Sequence, residues 1–326
     1  MRFEDISGQD RAVNILRGQL DNDRIAHAYI FLGPEGVGRK KTALELAAAL
    51  NCEKGAGREA PCGECAPCVK VTRMVHPDVH VVDYAWQAKI LEKEIPESGK
   101  SIIKIDTVRA IQKEMSLKIY EGRYRVFIVD NAETMTRDSA NCLLKTLEEP
   151  SRNSVIILLA ATVEMFPRTV VSRCRQVKFC ALEEGFISSY LVRNAGADRR
   201  RSAQVARLSR GSLGTALQLN ESYDEPFGVS MTMELWDRLR NEDIAGAEII
   251  SICNGMNKNR DASGKFVSFL LCLAREDLVG GLTRKSREAV DVILKTMNSL
   301  RYNVNLRVTM SSMLLQLKEI YSAGSG

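Results

Sequence analysis

Short apolar runs alternate with helical patterns over the first half of the chain. Four runs have the length and composition of buried strands: His27–Leu32, Val79–Val82, Arg125–Asp130 and Ser154–Leu159. Segments with helical spacing lie at Thr42–Leu50, Ile105–Leu117 and Thr136–Leu147. This alternation predicts an α/β module, a mostly parallel sheet with helices on both faces. Ligands of such sheets bind at the carboxyl ends of the strands, so the loops after Leu32, Val129 and Leu159 form the expected functional edge.

Beyond about residue 180 the pattern becomes helical. Residues 183–220 are typical of a small helical unit, broken at Gly211-Ser212-Leu213-Gly214, and five further helical stretches follow. We therefore expect three domains: an α/β domain over residues 1–180, a small all-α domain over 181–220 and a larger all-α domain over 221–326.

Composition narrows the class without fixing a partner. The 326 residues are 45% hydrophobic and 27% charged, as in globular proteins that fold in water. The net charge of +5 permits nucleic-acid contact but does not require it. The start of the sequence lacks a signal-peptide pattern, and no apolar run reaches the roughly 20 residues that span a bilayer. The expected location is the cytoplasm, with no membrane contact.

A glycine-rich loop follows the first predicted strand. Gly33, Gly36 and Gly38 have the spacing of a phosphate-binding loop, which normally continues with lysine and then serine or threonine. Here Arg39 and Lys40 follow instead. Arg39 is a poor substitute for a compact ammonium, and Lys40 puts a cation where a magnesium ligand is required. The loop predicts a degenerate nucleotide site in which ATP binding is doubtful; a plain tight turn before a helix is the alternative.

A second nucleotide motif carries its own defect. Asp130 ends the third predicted strand, where ATPases with such a loop hold magnesium, but Asn131 follows it in place of the glutamate that prepares the attacking water. An amide cannot act as a base. Thr162, after the fourth strand, suits either a polar sensor of the nucleotide or a hydroxyl that bonds the local backbone. No intrinsic ATPase activity is expected.

Four of the nine cysteines are crowded together. Cys52, Cys62, Cys65 and Cys68 include two C-x₂-C steps, a spacing that presents paired sulfurs to one tetrahedral ion. Spacing favours zinc; an iron–sulfur or redox site and plain buried cysteines remain open. We predict a metal-binding insert over residues 52–68, kept non-helical by its prolines and Gly63.

Several motifs in order resemble one protein family. Gly8-Gln9, the run Asn141–Pro150 (NCLLKTLEEP), Ser172-Arg173-Cys174 and the four-cysteine insert are similar to motifs of the clamp-loader branch of the AAA+ superfamily, and within it to the delta-prime subunits of bacterial DNA polymerase III. The likeness covers residues 1 to about 215. It implies a P-loop NTPase-like AAA+ fold in which residues 181–220 form an all-α lid and residues 221–326 an all-α collar (oligomerisation) domain.

The resemblance also implies roles for residues. Arg173, within the Ser172-Arg173-Cys174 motif, would be an arginine finger that acts on ATP bound by a neighbouring subunit; an ordinary solvated arginine is the alternative. The cysteine insert would be a structural zinc module.

The implied function is that of a non-motor stator subunit, which joins gamma/tau-type motor subunits and a delta subunit in a heteropentamer that loads the sliding clamp onto primed DNA. Two rivals remain: an ATP-hydrolysing motor subunit of the same complex, and a free-standing zinc-dependent nucleic-acid-binding protein.

Overall fold

The computed structural model divides the chain into two compact units, Met1–Leu182 and Glu183–Gly326. The structure describes residues 3, 6–55, 60–92, 102–241, 244–256, 260–281, 283–300, 302 and 304–322. Residues 56–59 of the predicted cysteine insert, and 242–243, 257–259, 282, 301, 303 and 323–326 of the predicted collar, lie outside the described residues.

The first unit alternates strands and helices as the apolar pattern predicts. Its elements are α1 (Asp10–Asp21), β1 (Ala28–Leu32), α2 (Arg39–Asn51), α3 (Ala66–Thr72), β2 (Val79–Val82), α4 (Tyr84–Ile90), α5 (Ile105–Ser116), β3 (Arg125–Val129), a short 3-10 helix (Ala132–Thr134), α6 (Arg137–Glu148), β4 (Ser154–Ala160), α7 (Arg168–Val171) and β5 (Arg175–Lys178).

The five strands form one parallel sheet in the order β2-β3-β4-β1-β5. The predicted fold class, a parallel α/β module followed by helices, is confirmed. β4 lies between β1 and β3, so the loops after these three strands share one edge. The pattern gave four strands and missed β5. In this edge strand only Val177 is buried, and its other three residues are exposed, so it carries no apolar run.

Helices cover both faces of the sheet because successive strand residues point to opposite sides. Tyr29 and Phe31 of β1 pack in a cluster with residues of α1 and α2. Ile30, between them, packs in a second cluster with residues of α5, α6 and α7. Buried on both sides, β1 reads as a continuous apolar run, and this is why the sequence identified it.

A buried ion pair lies at the opposite edge of the sheet from the strand carboxyl ends. Arg125, the first residue of β3, donates from Nη2 to Oδ1 of Asp78 at 2.9 Å, and both side chains are almost fully buried. Asp78 also accepts backbone N–H bonds from Tyr120, Glu121 and Gly122 at 2.8–2.9 Å. The pair therefore ties the loop between α5 and β3 to the start of β2.

The second unit is all-helical, as predicted, and contains α8 (Glu184–Asn194), α9 (Arg199–Ser209), α10 (Leu213–Glu221), α11 (Val229–Arg240), α12 (Gly246–Met256), α13 (Arg260–Gly280), α14 (Arg284–Ser299) and α15 (Leu306–Ser322). An ion pair between Arg207 of α9 and Glu276 of α13 joins the predicted lid to the predicted collar. The division of this unit into two domains stays a prediction. Across the described residues, every helix is too short or too polar to cross a membrane.

Candidate functional site

The backbone of the loop after β1 requires its glycines. Gly36 and Gly38 have φ angles of +75° and +105°, in the region where a side chain is strained. A Cβ on Gly33 would lie 2.4 Å from the carbonyl oxygen of Phe179. Gly38 then caps α2, whose first turn carries Arg39 and Lys40. Strand, glycine loop and helix thus have the arrangement of a phosphate-binding loop.

Gln9 connects this loop to the end of the edge strand. Its Nε2 donates to the carbonyl oxygens of Val37 at 3.2 Å and Cys180 at 2.7 Å, and its Oε1 accepts from the backbone N–H of Cys180 at 3.1 Å. Gln9 is 4% exposed; its bond to Val37 is buried, and its two bonds to Cys180 are partly buried. The Gly8-Gln9 motif therefore holds the glycine loop in position.

Lys40 extends across the cleft to the acid at the end of β3. Its Nζ lies 3.1 Å from Oδ2 of Asp130, and 40% of the lysine side chain and 24% of the aspartate side chain are exposed. The other carboxylate oxygen, Oδ1, accepts the backbone N–H of Asn131 at 3.0 Å. Asp130 is thus bonded through both of its oxygens within the chain.

Arg39 is buried at the position of the loop's missing lysine. It is 8% exposed, and in the described part of the chain its Nη1 has no hydrogen-bond partner. Burial lowers the pKa of Arg39, while the nearby carboxylates of Glu133, Asp130 and Glu35 act in the opposite direction. The cleft therefore balances its two cations with its own acids.

Sequence reasoning missed Glu133. It lies in the 3-10 helix after Asp130, and its Oε1 accepts the backbone N–H of Ala161 at 3.3 Å, directly after β4. Only the fold brings this side chain towards Arg39. Thr162, one residue further on, is exposed and hydrogen-bonds the Glu164 carboxylate. This bond is to a side chain and not to the backbone, so the sensor role and the backbone-bonding alternative both stay predictions.

Arg173 follows the short helix α7 and folds back on its own chain. Its Nη2 lies 2.8 Å from Oε1 of Glu148, and its Nη1 donates to the carbonyl oxygen of Thr169 at 3.0 Å. The side chain remains 36% exposed. Ser172 bonds the same Thr169 carbonyl at 3.1 Å. Cys174 is buried among apolar side chains, and burial raises the pKa of its thiol to about 12, so it packs rather than reacts.

The four clustered cysteines converge at the end of α2. The Sγ atoms of Cys52, Cys62, Cys65 and Cys68 all lie within 4.8 Å of one another, and three of the four residues are buried. Thiolates at about 2.3 Å from a tetrahedral ion stand roughly 3.8 Å apart, so this donor set fits such an ion. The Cys52 and Cys65 sulfurs, 3.9 Å apart, already have this separation.

Backbone groups prepare one of these thiols to bind a cation. The N–H groups of Glu64 and Cys65 lower the pKa of Cys62 to about 6, which favours the thiolate at neutral pH. The expectation of a non-helical segment is wrong in part, because α3 begins at Ala66 and contains Cys68. Pro67 lies in the first turn of α3, where the missing N–H costs no helical hydrogen bond.

Comparisons with known proteins agree with this architecture. A family model described as "DNA polymerase III, delta subunit" matches residues 8–183. DNA polymerase III subunit delta' of Bacillus subtilis is 33% identical over 184 residues, 56% of this chain and 51% of that protein. DNA polymerase III subunit tau/gamma of Haemophilus influenzae is 30% identical over 224 residues, 67% of this chain and 30% of that protein.

The chain spans about half or less of the length of these two relatives. A crystal structure of a DNA polymerase III gamma subunit-related protein from Thermotoga maritima shares the fold, with a TM-score of 0.52 at 16% identity over 96% of this chain and 100% of that chain. The family model covers more than half of the 326 residues. The chain therefore belongs to the DNA polymerase III delta subunit family of clamp-loader proteins.

Proposed function

We propose that this chain is a non-motor, delta-prime-type stator subunit of a DNA polymerase III clamp loader. The observation that carries the proposal is the ion pair between Lys40 and Asp130 at 3.1 Å. In a working site, the position of Lys40 offers a hydroxyl to Mg²⁺, and the position of Asp130 helps to hold the same ion. Here an ammonium neutralises that acid, and a second cation beside it would be repelled.

The catalytic base is also missing from this site. Asn131 follows Asp130 and cannot accept a proton from water. Glu133 does not replace it, because its carboxylate bonds the backbone after β4 and lies beside Arg39. Two independent defects, in the metal site and in the base, support a subunit that does not hydrolyse ATP.

The proposed subunit would act through Arg173, an arginine finger placed in the nucleotide site of a neighbouring subunit. A guanidinium supplied in trans stabilises charge on the transferred phosphoryl group and is worth about 10³–10⁵ in rate in GTPases. Its partial exposure and its place just after α7, outside the sheet, support this role. Ser172 supports the helix turn, and the buried Cys174 anchors it.

The proposed assembly is a heteropentamer with gamma/tau-type motor subunits and a delta subunit, acting in the cytoplasm. Through this complex the chain would help open the sliding clamp and place it on primed DNA. The four-cysteine cluster would hold a structural Zn²⁺, since all four tetrahedral positions are supplied by the chain.

The test is Arg173→Ala in a reconstituted clamp loader. We expect a large loss of the clamp- and DNA-stimulated ATPase, with assembly of the complex intact by gel filtration. Arg168→Ala is the matched control: this exposed arginine begins the short helix α7 that Arg173 follows, and its substitution makes the same change of charge. Unchanged turnover in the Arg173 variant would overturn the finger role.

A motor subunit is the second candidate, because relatives named tau/gamma match 224 residues of this chain. It requires ATP turnover despite Arg39, Lys40 and Asn131. An ATPase assay on the purified chain separates the two functions. We expect no Mg²⁺-dependent turnover, and robust turnover without partners would favour the motor.

A further inference from the structure

The guanidinium of Arg173 is held within its own chain from two sides. Nη2 lies 2.8 Å from Oε1 of Glu148, and Nη1 bonds the Thr169 carbonyl at 3.0 Å. Thr169 belongs to α7, but Glu148 is the last residue of α6, 25 positions before Arg173. The side chain is therefore curled over α7 towards the end of α6, with the guanidinium partly exposed.

Glu148 is poorly placed for the stability of its own helix. A carboxylate in the last turn of a helix faces the negative end of the helix dipole and the unbonded terminal carbonyls. Its interaction with Arg173 compensates for this position. Glu149, the next residue, is also exposed, and in the described part of the chain its side chain makes no ion pair or hydrogen bond.

A guanidinium paired with a carboxylate is a weak partner for a phosphate. The charge of Glu148 offsets that of Arg173, and a carboxylate beside a polyphosphate would also repel it. We propose that Glu148 is a positioning residue: its carboxylate holds the guanidinium of Arg173 within the chain until the neighbour's nucleotide competes for it. This inference rests on the proposed function, because it requires that Arg173 act in trans.

The ion pair between Arg173 and Glu148 is exposed, so it can open and close reversibly. About half of the Glu148 side chain and a third of the Arg173 side chain are open to solvent. Ion pairs this exposed shift an equilibrium by at most about fivefold. The pair lowers the fraction of Arg173 that is free to act by the same factor. It therefore lowers the apparent kcat/KM of the neighbour's ATP site by that factor as well. Glu148 thus lowers the activity that depends on Arg173 modestly and does not abolish it.

The experiment measures kcat/KM for ATP of the reconstituted loader without clamp or DNA. Glu148→Gln keeps the shape of the side chain and removes its charge. We expect kcat/KM to rise about two- to fivefold. Glu149→Gln, the matched control, removes the same charge one residue away and is expected to leave kcat/KM unchanged.

The Arg173→Ala background separates positioning from a structural role. If Glu148 acts through the finger, Glu148→Gln has no effect once Arg173 is gone; a structural role would change kcat/KM equally in both backgrounds. An unchanged or lower kcat/KM for Glu148→Gln alone, or equal effects in both backgrounds, would overturn the inference. If Arg173→Ala itself leaves the stimulated ATPase unchanged, the proposed finger fails first, so the two failures are distinguishable.

Discussion

Lys40 and Asp130 form an ion pair of 3.1 Å between the first turn of α2 and the end of β3. Lys40 lies after β1 and Asp130 directly after β3, and these two strands flank β4, so the pair spans the carboxyl edge of the sheet. The ammonium supplies one positive charge beside the acid, but it cannot coordinate phosphate oxygens as a divalent ion does. The cleft has the strand, glycine loop and helix of a phosphate-binding loop, while the charges of Lys40 and Asp130 neutralise each other.

Restoring two side chains should restore nucleotide binding. We expect the double variant Arg39→Lys, Lys40→Thr to bind MgADP at least about tenfold more tightly than the unmodified chain, since a site built to bond a ligand loses about 1.4 kcal/mol or more per missing partner. Isothermal titration calorimetry with and without EDTA measures the metal-dependent part.

Lys41→Thr is the control for that measurement, because it removes a positive charge from the same helix turn outside the altered positions. It is expected to leave MgADP binding as it is in the unmodified chain. Equal affinity of the unmodified chain and the double variant for MgADP would contradict the prediction.

The sequence predicts those residues of the cleft that can be recognised from the residues next to them in the chain. Gly33, Gly36 and Gly38 were predicted because their spacing is local, and Asp130 because parallel strands bring their carboxyl ends together. The contacts made by Lys40 and Glu133 were not predicted. They join elements 90 and 28 positions apart, and no local pattern fixes such distances.

Metal content tests the cysteine cluster. We expect one zinc per chain by elemental analysis, bound by Cys52, Cys62, Cys65 and Cys68. Cys62→Ser should lose the metal and lower the melting temperature, because the cluster joins the end of α2 to α3. Cys180→Ser is the control, since Cys180 is exposed and lies outside the cluster.

Two other outcomes would count against structural zinc. Iron with visible charge-transfer absorption would support the iron–sulfur alternative. Metal content that is equally low in the unmodified chain and in Cys62→Ser, after growth with added zinc, would support four plain buried cysteines.

The cysteine segment also marks a limit of local reasoning. Pro67 was expected to prevent a helix, yet a proline is compatible with the first helical turn, and only the start of α3 at Ala66 reveals its position. β5 was missed for a related reason. An edge strand with one buried residue has no apolar run, although its pairing with β1 is regular.

Asp78 carries a measurable share of the stability of the first unit. Burial alone would raise its pKa, but backbone N–H bonds from Glu121, Tyr120 and Gly122 and the contact with Arg125 outweigh burial and lower the pKa to about 2. An unfolded aspartate titrates near 3.9, so the charged form is favoured by folding. This contribution is fully present above about pH 4 and is lost as the pH falls towards 2.

Asp78→Asn should therefore destabilise the chain by about 3 kcal/mol at pH 7, because it leaves the Arg125 guanidinium buried without a counter-charge. Urea unfolding followed by circular dichroism measures the free energy of unfolding. The gap in the free energy of unfolding between the two proteins should narrow by about 2 kcal/mol between pH 5 and pH 2.5, since protonation removes the same charge from the unmodified chain.

Asp106→Asn is the control: its pair with Arg109 is exposed, at 3.7 Å, and should contribute less than about 1 kcal/mol. A gap that stays constant with pH would show that the loop is held by the hydrogen bonds of Asp78 and not by its charge.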